Sequence, residues 1–415
     1  MLVWGALCLG LVPVIVVVAV QSYVAVRAQL ISAELERRTV AWERSGFSRP
    51  VLRGVARPGN ADVAHFKAVV KIGQTYSDLM DWSKDAQDAI RSGAPRADLL
   101  ALARVKSEGL AELRAATQHT QVRKPQDVRS GRIASPPYLK SWRVLLLLLA
   151  LASREPGDEC LRIAADGLRT MWDVAPSGGN FGQGFGDIAA KIVLPFATTC
   201  LRRARPCDLA PAAAEFREIL RCAPTLGDAN YADYLSAAWL VNRLSGGKAA
   251  FVDVVLARHL LADERRTAIA MQRIRLGAAD LFRGITPDRY PSIWQEITGR
   301  VDRLPAGFHK EQLEELLKEL GRWVKRDQEA QAIMRAMVLG LGLLGGDPDA
   351  LAGDPLLRDP FSGAPLLWRR ATVAAPAVVY SVGPNGKDDD FATGSDDVGL
   401  TFPAIGQDPG PWGWN

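Results

Sequence analysis

Histidine is scarce in this chain. The four, His65, His119, His259 and His309, lie far apart, none in a His-Glu-x-x-His pattern or beside a Gly-x-Ser-x-Gly elbow. Metalloprotease and hydrolase signatures are thereby absent, and no residue is singled out as catalytic. Cysteine is scarce too: of five, Cys8 lies in an apolar run, leaving Cys160, Cys200, Cys207 and Cys222 without Cys-x-x-Cys spacing, which argues against a zinc site. Those four permit three pairings or remain buried thiols, and a Cys207→Ser change in non-reducing mobility would read out a bridge. A dominant charge is also missing. The net +5 arises from 51 basic and 46 acidic residues mixed along the chain, with Arg202, Arg203 and Arg205 the densest basic cluster, so no nucleic-acid partner is inferred. No small-molecule substrate is inferred either.

What is present begins with Leu2 to Val20, which carries no charged residue. At 1.5 Å per helical residue this run nearly matches a hydrocarbon core of about 30 Å, and it exceeds the usual signal-peptide h-region. We expect a retained transmembrane anchor at 1–23 that contacts the membrane through residues 2–20. The alternative is a signal segment. Arg27, Arg37 and Arg38 follow the run and nothing basic precedes it, so the positive-inside count keeps the body in the cytoplasm, whereas paired cysteines would argue for export. The working expectation is a bacterial inner-membrane protein with a periplasmic body.

The rest reads as mainly α. A membrane-proximal helix and connector occupy 24–59, with the helical stretch running on through Trp42; Asn60 then caps a helix through Ile72. Leu99 to Leu113 reads as one amphipathic helix, followed by a polar loop from Gln118 to Ser135. Pro136-Pro137 opens a helix whose segment Val144 to Ala152 is apolar on all sides, too short for a bilayer and suited to a buried centre. Further helices are expected at 159–172, 188–203, 210–222, 231–244, 251–281, 309–325 and 328–344, with Gly178 to Gly186 as a glycine-rich connector carrying Phe181 and Phe185. Gly340-Leu-Gly-Leu-Leu-Gly345 matches a dinucleotide fingerprint formally but follows a helical pattern rather than a strand. No constant repeat is present, so the domain at 60–346 is expected to be an irregular bundle or solenoid-like array. A small β-hairpin element with an acidic loop closes it at 347–402, with strands near 365–370 and 377–382, and 403–415 is expected to be irregular.

The tail carries Asp359-Pro-Phe-Ser-Gly363-Ala-Pro365-Leu366, then Tyr380-Ser-Val-Gly383-Pro-Asn385-Gly386, then Asp396-Asp397-Val398-Gly399. This region resembles the C-terminal β-region of the major pseudopilins of type II secretion, whose acidic loop binds calcium. The resemblance implies Asn385 and either Asp396 or Asp397 as Ca²⁺ ligands, and the acidic run beside them adds Asp388, so the candidate set is Asn385, Asp388, Asp396 and Asp397. It is confined to the tail: Asn385 stands where the family has Asp, and the pilin cleavage motif is missing. The layout is also similar to a group of bacterial single-pass envelope proteins with an anchor, a helical body and a tail of this kind, a likeness that carries no activity. Carboxylate, amide and backbone oxygens around a glycine turn suit Ca²⁺, while the same residues also serve as plain turn formers. The expectation is a non-enzymatic, membrane-anchored envelope protein that presents a helical surface to a protein partner. The alternatives are an adaptor of secretion or pilus-like machinery and an enzyme with a dispersed site.

Overall fold

The computed structural model describes residues 33–42, 47–72, 84–122, 138–175, 179–227, 308–346, 354–372 and 375–403, with a few isolated positions between 229 and 299. The expected anchor, the helix at 251–281, His259, most of the helix at 231–244 and the tail from 404 onward lie outside these residues; Tyr231, Ala232, Asp233 and Leu235 are described and helical. Described helices are α1 (33–42), α2 (Ala61–Ile72), α3 (Lys84–Arg91), α4 (Ala97–Val105), α5 (Ser107–Ala116), α6 (Tyr138–Ala152), α7 (Gly157–Val174), α8 (Gly179–Cys200), α9 (Pro206–Arg221) and α10 (Phe308–Leu344). The fold is therefore mostly helical, as the periodicity indicated. In α9, Pro206 occupies the first turn, where its missing N–H costs nothing, and the Asp208 carboxylate accepts from the Arg205 amide at 2.8 Å.

The centre forms around α6. Leu145, Leu147, Leu148, Leu149 and Ala150 are all buried, as expected for a segment apolar on every side. Against it pack α7 and α8, and α10 lies across α8 and α9. The helix Gly182–Arg203 is long and apolar enough to cross a bilayer, but 72% of its most apolar stretch is buried inside the protein. A disulfide joins Cys160 of α7 to Cys200 of α8, leaving Cys207 exposed and Cys222 half-buried as thiols. The mobility test therefore belongs on Cys160, not Cys207.

Three sequence expectations fail for identifiable reasons. The glycine-rich stretch is not a connector but the first turns of α8. Its glycines let aromatic rings lie on the helix backbone: a Cβ at Gly184 would sit 2.3 Å from the Trp323 ring, and one at Gly186 2.8 Å from Trp172. Instead of two helices, 308–344 is one, and Gly340 within it seats Phe402, whose ring would be 2.0 Å from an added Cβ. Conversely, the single amphipathic helix expected over Leu99 to Leu113 is split at Lys106 (φ −98°, ψ 9°) into α4 and α5, so that Gly109 faces the Ile72 side chain.

Two small sheets complete the fold. In the first, β3 (His119–Val122) lies between β1 (Phe47–Ser48), antiparallel, and β2 (Arg57–Asn60), parallel. The connector expected before residue 60 is thus built into the body, and β3 occupies part of the expected polar loop. The second sheet is antiparallel, with β5 (Ala377–Ser381) between β4 (Leu367–Arg369) and β6 (Val398–Phe402). Strand β6 was not foreseen. Val379, Leu400 and Phe402 join the helical core, so the tail is packed against α8 and α10.

Candidate functional site

Asp359, the first residue of the tail motif, is 1% exposed and ties the motif together. Its carboxylate accepts from the Phe361 amide at 2.8 Å, Ser362 Oγ at 2.9 Å, Ser381 Oγ at 2.7 Å and the Val382 amide at 3.2 Å. Asp359 N donates to Ala364 O at 2.7 Å, closing the turn whose Gly363 takes φ +72°. The Asp-Pro-Phe-Ser-Gly motif is accordingly a clasp on β5.

The acidic loop between β5 and β6 brings two of the four expected ligands into contact. Asp396 accepts from the Asn385 backbone at 2.9 Å and from its side-chain amide, which also donates to Asp389 at 3.0 Å. Asn385 Oδ1 accepts from the Lys387 amide at 2.6 Å. The other two are held separately. Asp388 Oδ1 accepts from Tyr380 Oη at 3.1 Å and from the Asp390 amide at 3.0 Å, while Asp397 Oδ2 accepts from the Phe391 amide at 2.7 Å. Asp390 and Phe391 are left-handed at φ 58° and 52°, a strain those carboxylate contacts support. Asp397 Oδ1 is buried with no hydrogen-bond partner, and burial lifts the pKa of the carboxyl above the ordinary carboxylate value. Burial, then the Asp388 hydrogen bond, pushes the Tyr380 phenol up to about 12. Among the described residues no group of three or more His, Cys, Asp or Glu side chains is set to hold a metal.

A second concentration of charge lies where residues 49–53 run antiparallel along α7. Glu159, Arg162, Asp166, Arg169 and Asp173 recur at helical spacing along α7. Arg49 pairs with Asp173, both buried; Arg53 pairs with Asp166 and Glu215, and Arg169 donates to Pro50 O at 2.8 Å. Arg114 adds contacts to Asp166 at 2.9 Å and Glu159 at 2.7 Å. Desolvation raises the Asp166 and Glu215 carboxyls, with the arginines opposing it.

Sequence reasoning missed a third group, at the seam of α8 and α10. Gln183, Asp187 and Asp327 are each 1–2% exposed. Gln183 Nε2 donates to Asp187 at 3.1 Å and to Asp327 at 3.3 Å. Burial, then the neighbouring Asp327 charge, holds the Asp187 carboxyl well above the usual range. The available signal was Gln183 and Asp187 four apart in an apolar helix, hidden because that stretch read as a loop. Of the remaining histidines, His65 is buried with Nε2 2.8 Å from Ser141 Oγ, and His119 lies on β3 beside Gly59. His309 falls in the first turn of α10.

No family model, curated protein or solved structure matches this chain.

Proposed function

We propose that the chain is a membrane-anchored, non-enzymatic scaffold of the bacterial envelope that holds a rigid helical surface for a protein partner on the oxidising side of the membrane. The observation that carries this reading is the strap at residues 49–53. It is the chain's route from the expected anchor into the body, and Arg49 and Arg53 fix it to Asp173, Asp166 and Glu215. Such contacts fix the point where the chain joins the body, which a scaffold needs and a flexible tether does not. The Cys160–Cys200 bridge supports the compartment, since structural disulfides persist in oxidising surroundings.

Labelling intact spheroplasts with a membrane-impermeant maleimide tests the reading, because Cys207 is exposed. The expectation is labelling of the full chain that Cys207→Ser removes, and release of the protein from membranes when residues 1–28 are deleted. Labelling only after lysis, or turnover in a hydrolase screen lost on mutation of a His or Asp, would overturn it.

A second reading, Ca²⁺ bound by the tail loop, is favoured by the buried, unpartnered Asp397 Oδ1. Calorimetry with Ca²⁺ tests it: heat and thermal stabilisation lost in Asp397→Ala support it, and no heat at millimolar ion rejects it. Recovery of secretion components by the full chain, lost on mutation of the loop, would instead favour the adaptor.

A further inference from the structure

Two buried atoms at the α8–α10 seam have no hydrogen-bond partner: Gln183 Oε1 and Asp187 Oδ2. An unpartnered buried acceptor is costly, and two on adjoining side chains call for a common cause. Both are acceptors. They belong to an amide and a carboxyl already joined on their other side, where Gln183 Nε2 donates to Asp187 Oδ1 at 3.1 Å. A carboxylic acid and a carboxamide so placed close a cyclic pair when the acid bears its proton on the free oxygen, the amide N–H donating to one carboxyl oxygen and the acid O–H donating to the amide oxygen. One proton then satisfies both orphaned atoms.

We propose that the α8–α10 seam is a proton-binding site in which Asp187 is a neutral carboxylic acid at neutral pH, donating from Oδ2 to Gln183 Oε1. The second hydrogen on Gln183 Nε2 spans to Asp327 at 3.3 Å, so the amide links the protonated acid to the other carboxyl across the two helices. The charged surroundings agree. On α8 the nearby base is Lys191, which is already paired with Glu329 of α10, and the other cation acting on Asp187 is Arg326. From α7 comes the uncharged Trp172 against Gly186, from α6 Trp142 against Phe185 with Arg143 next in sequence, and from the tail β6, which has no charged residue. The α3 contact is at the far end of α8, where Gly93 faces Thr199. Loss of the proton to solvent would leave two carboxylates facing each other in a dry seam, a repulsion that loosens α10 from α8. Because the folded form holds the proton more tightly than the unfolded chain, the site's stabilisation is complete in acid and is lost as pH rises through its folded titration.

Infrared difference spectroscopy on the full chain in detergent micelles tests this. Wild type minus Asp187→Asn is expected to show a carboxylic-acid carbonyl band at neutral pH. The asparagine keeps the ring, so that variant should also lose the fall in Tm that wild type shows toward alkaline pH. Absence of the band at every pH where the protein is folded, or equal Tm slopes, would overturn the proposal. Should Asp187→Asn not fold, Gln183→Leu serves: the band shifts to higher frequency when the amide partner is lost, whereas no band, or one that does not move, rejects the assignment.

Discussion

His65 offers the most direct test of the packing between α2 and α6. The imidazole is fully enclosed, its Nε2 meets Ser141 Oγ at 2.8 Å, and Nδ1 is buried without a partner. Desolvation pushes its pKa from 6.5 down to about 4. Above the unfolded value the ring is neutral in both states and costs nothing. Between 6.5 and about 4 the unfolded chain takes up a proton that the folded one refuses, so stability falls as pH drops. A pKa lowered from 6.5 to about 4 corresponds to about 3 kcal/mol in total, of which about 2 kcal/mol is gone by pH 5. Asp187, Asp166 and Glu215 are shifted the other way and stabilise on acidification, so a single pH profile mixes opposite signs. The difference between wild type and His65→Gln cancels them. Urea unfolding of both proteins at pH 7.5 and pH 5 should show the gap between them shrinking, or reversing in the variant's favour, by about 2 kcal/mol on acidification. A gap unchanged with pH would refute the burial of a neutral imidazole.

Other outcomes follow from the same packing. Gly340→Ala should lower stability by about 1–3 kcal/mol because its methyl meets the Phe402 ring, and Phe402→Leu in the same chain should recover part of the loss in urea unfolding. Arg49→Ala, which takes the close guanidinium from buried Asp173 and leaves it Arg169 at 3.8 Å, should cost about 3 kcal/mol, while Arg49→Met with Asp173→Leu should cost far less by thermal shift. Replacing Cys160 and Cys200 by serine should remove a 40-residue closure worth about 2–5 kcal/mol and abolish the non-reducing gel shift, which Cys207→Ser leaves intact. Asp359→Asn should destabilise by about 1–3 kcal/mol, since the amide turns an N–H toward groups that themselves donate, with limited proteolysis reporting release of the tail.

Elements whose neighbours do not matter were legible from the residues alone. Helix α6 is apolar on every face and could only be central, and α7 and α9 were read within a few residues of their bounds. Glycine was where local reasoning failed. In isolation a run of glycines signals a turn; in α8 and α10 they are clearance for Trp323, Trp172 and Phe402, partners more than a dozen residues away that a local window cannot supply. Strand β6 was hidden for a related reason. Gly399 interrupts its pattern because a Cβ there would lie 2.3 Å from Val379 O, so the residue that fits the strand to β5 also disguises it. Of the tail's polar residues, Asp359 drew notice as a turn former, but two of its four acceptor bonds, from Ser381 and Val382, depend on β5 returning beside it. The Gln183, Asp187 and Asp327 group exists only once α10 lies on α8.

The strap at residues 49–53 also determines where mechanical load enters the molecule. A pull on the chain ahead of Arg49 reaches Asp173 and then Asp166 through guanidinium groups spaced along the flank of α7. Tension is then shared with α9 through Glu215 and with α8 through the Cys160–Cys200 link. Arg49, nearest the pull, carries the load first and Arg53 stands behind it, so release of the N-terminal segment must pass the Asp173 pair before it reaches the Asp166 and Glu215 pairs.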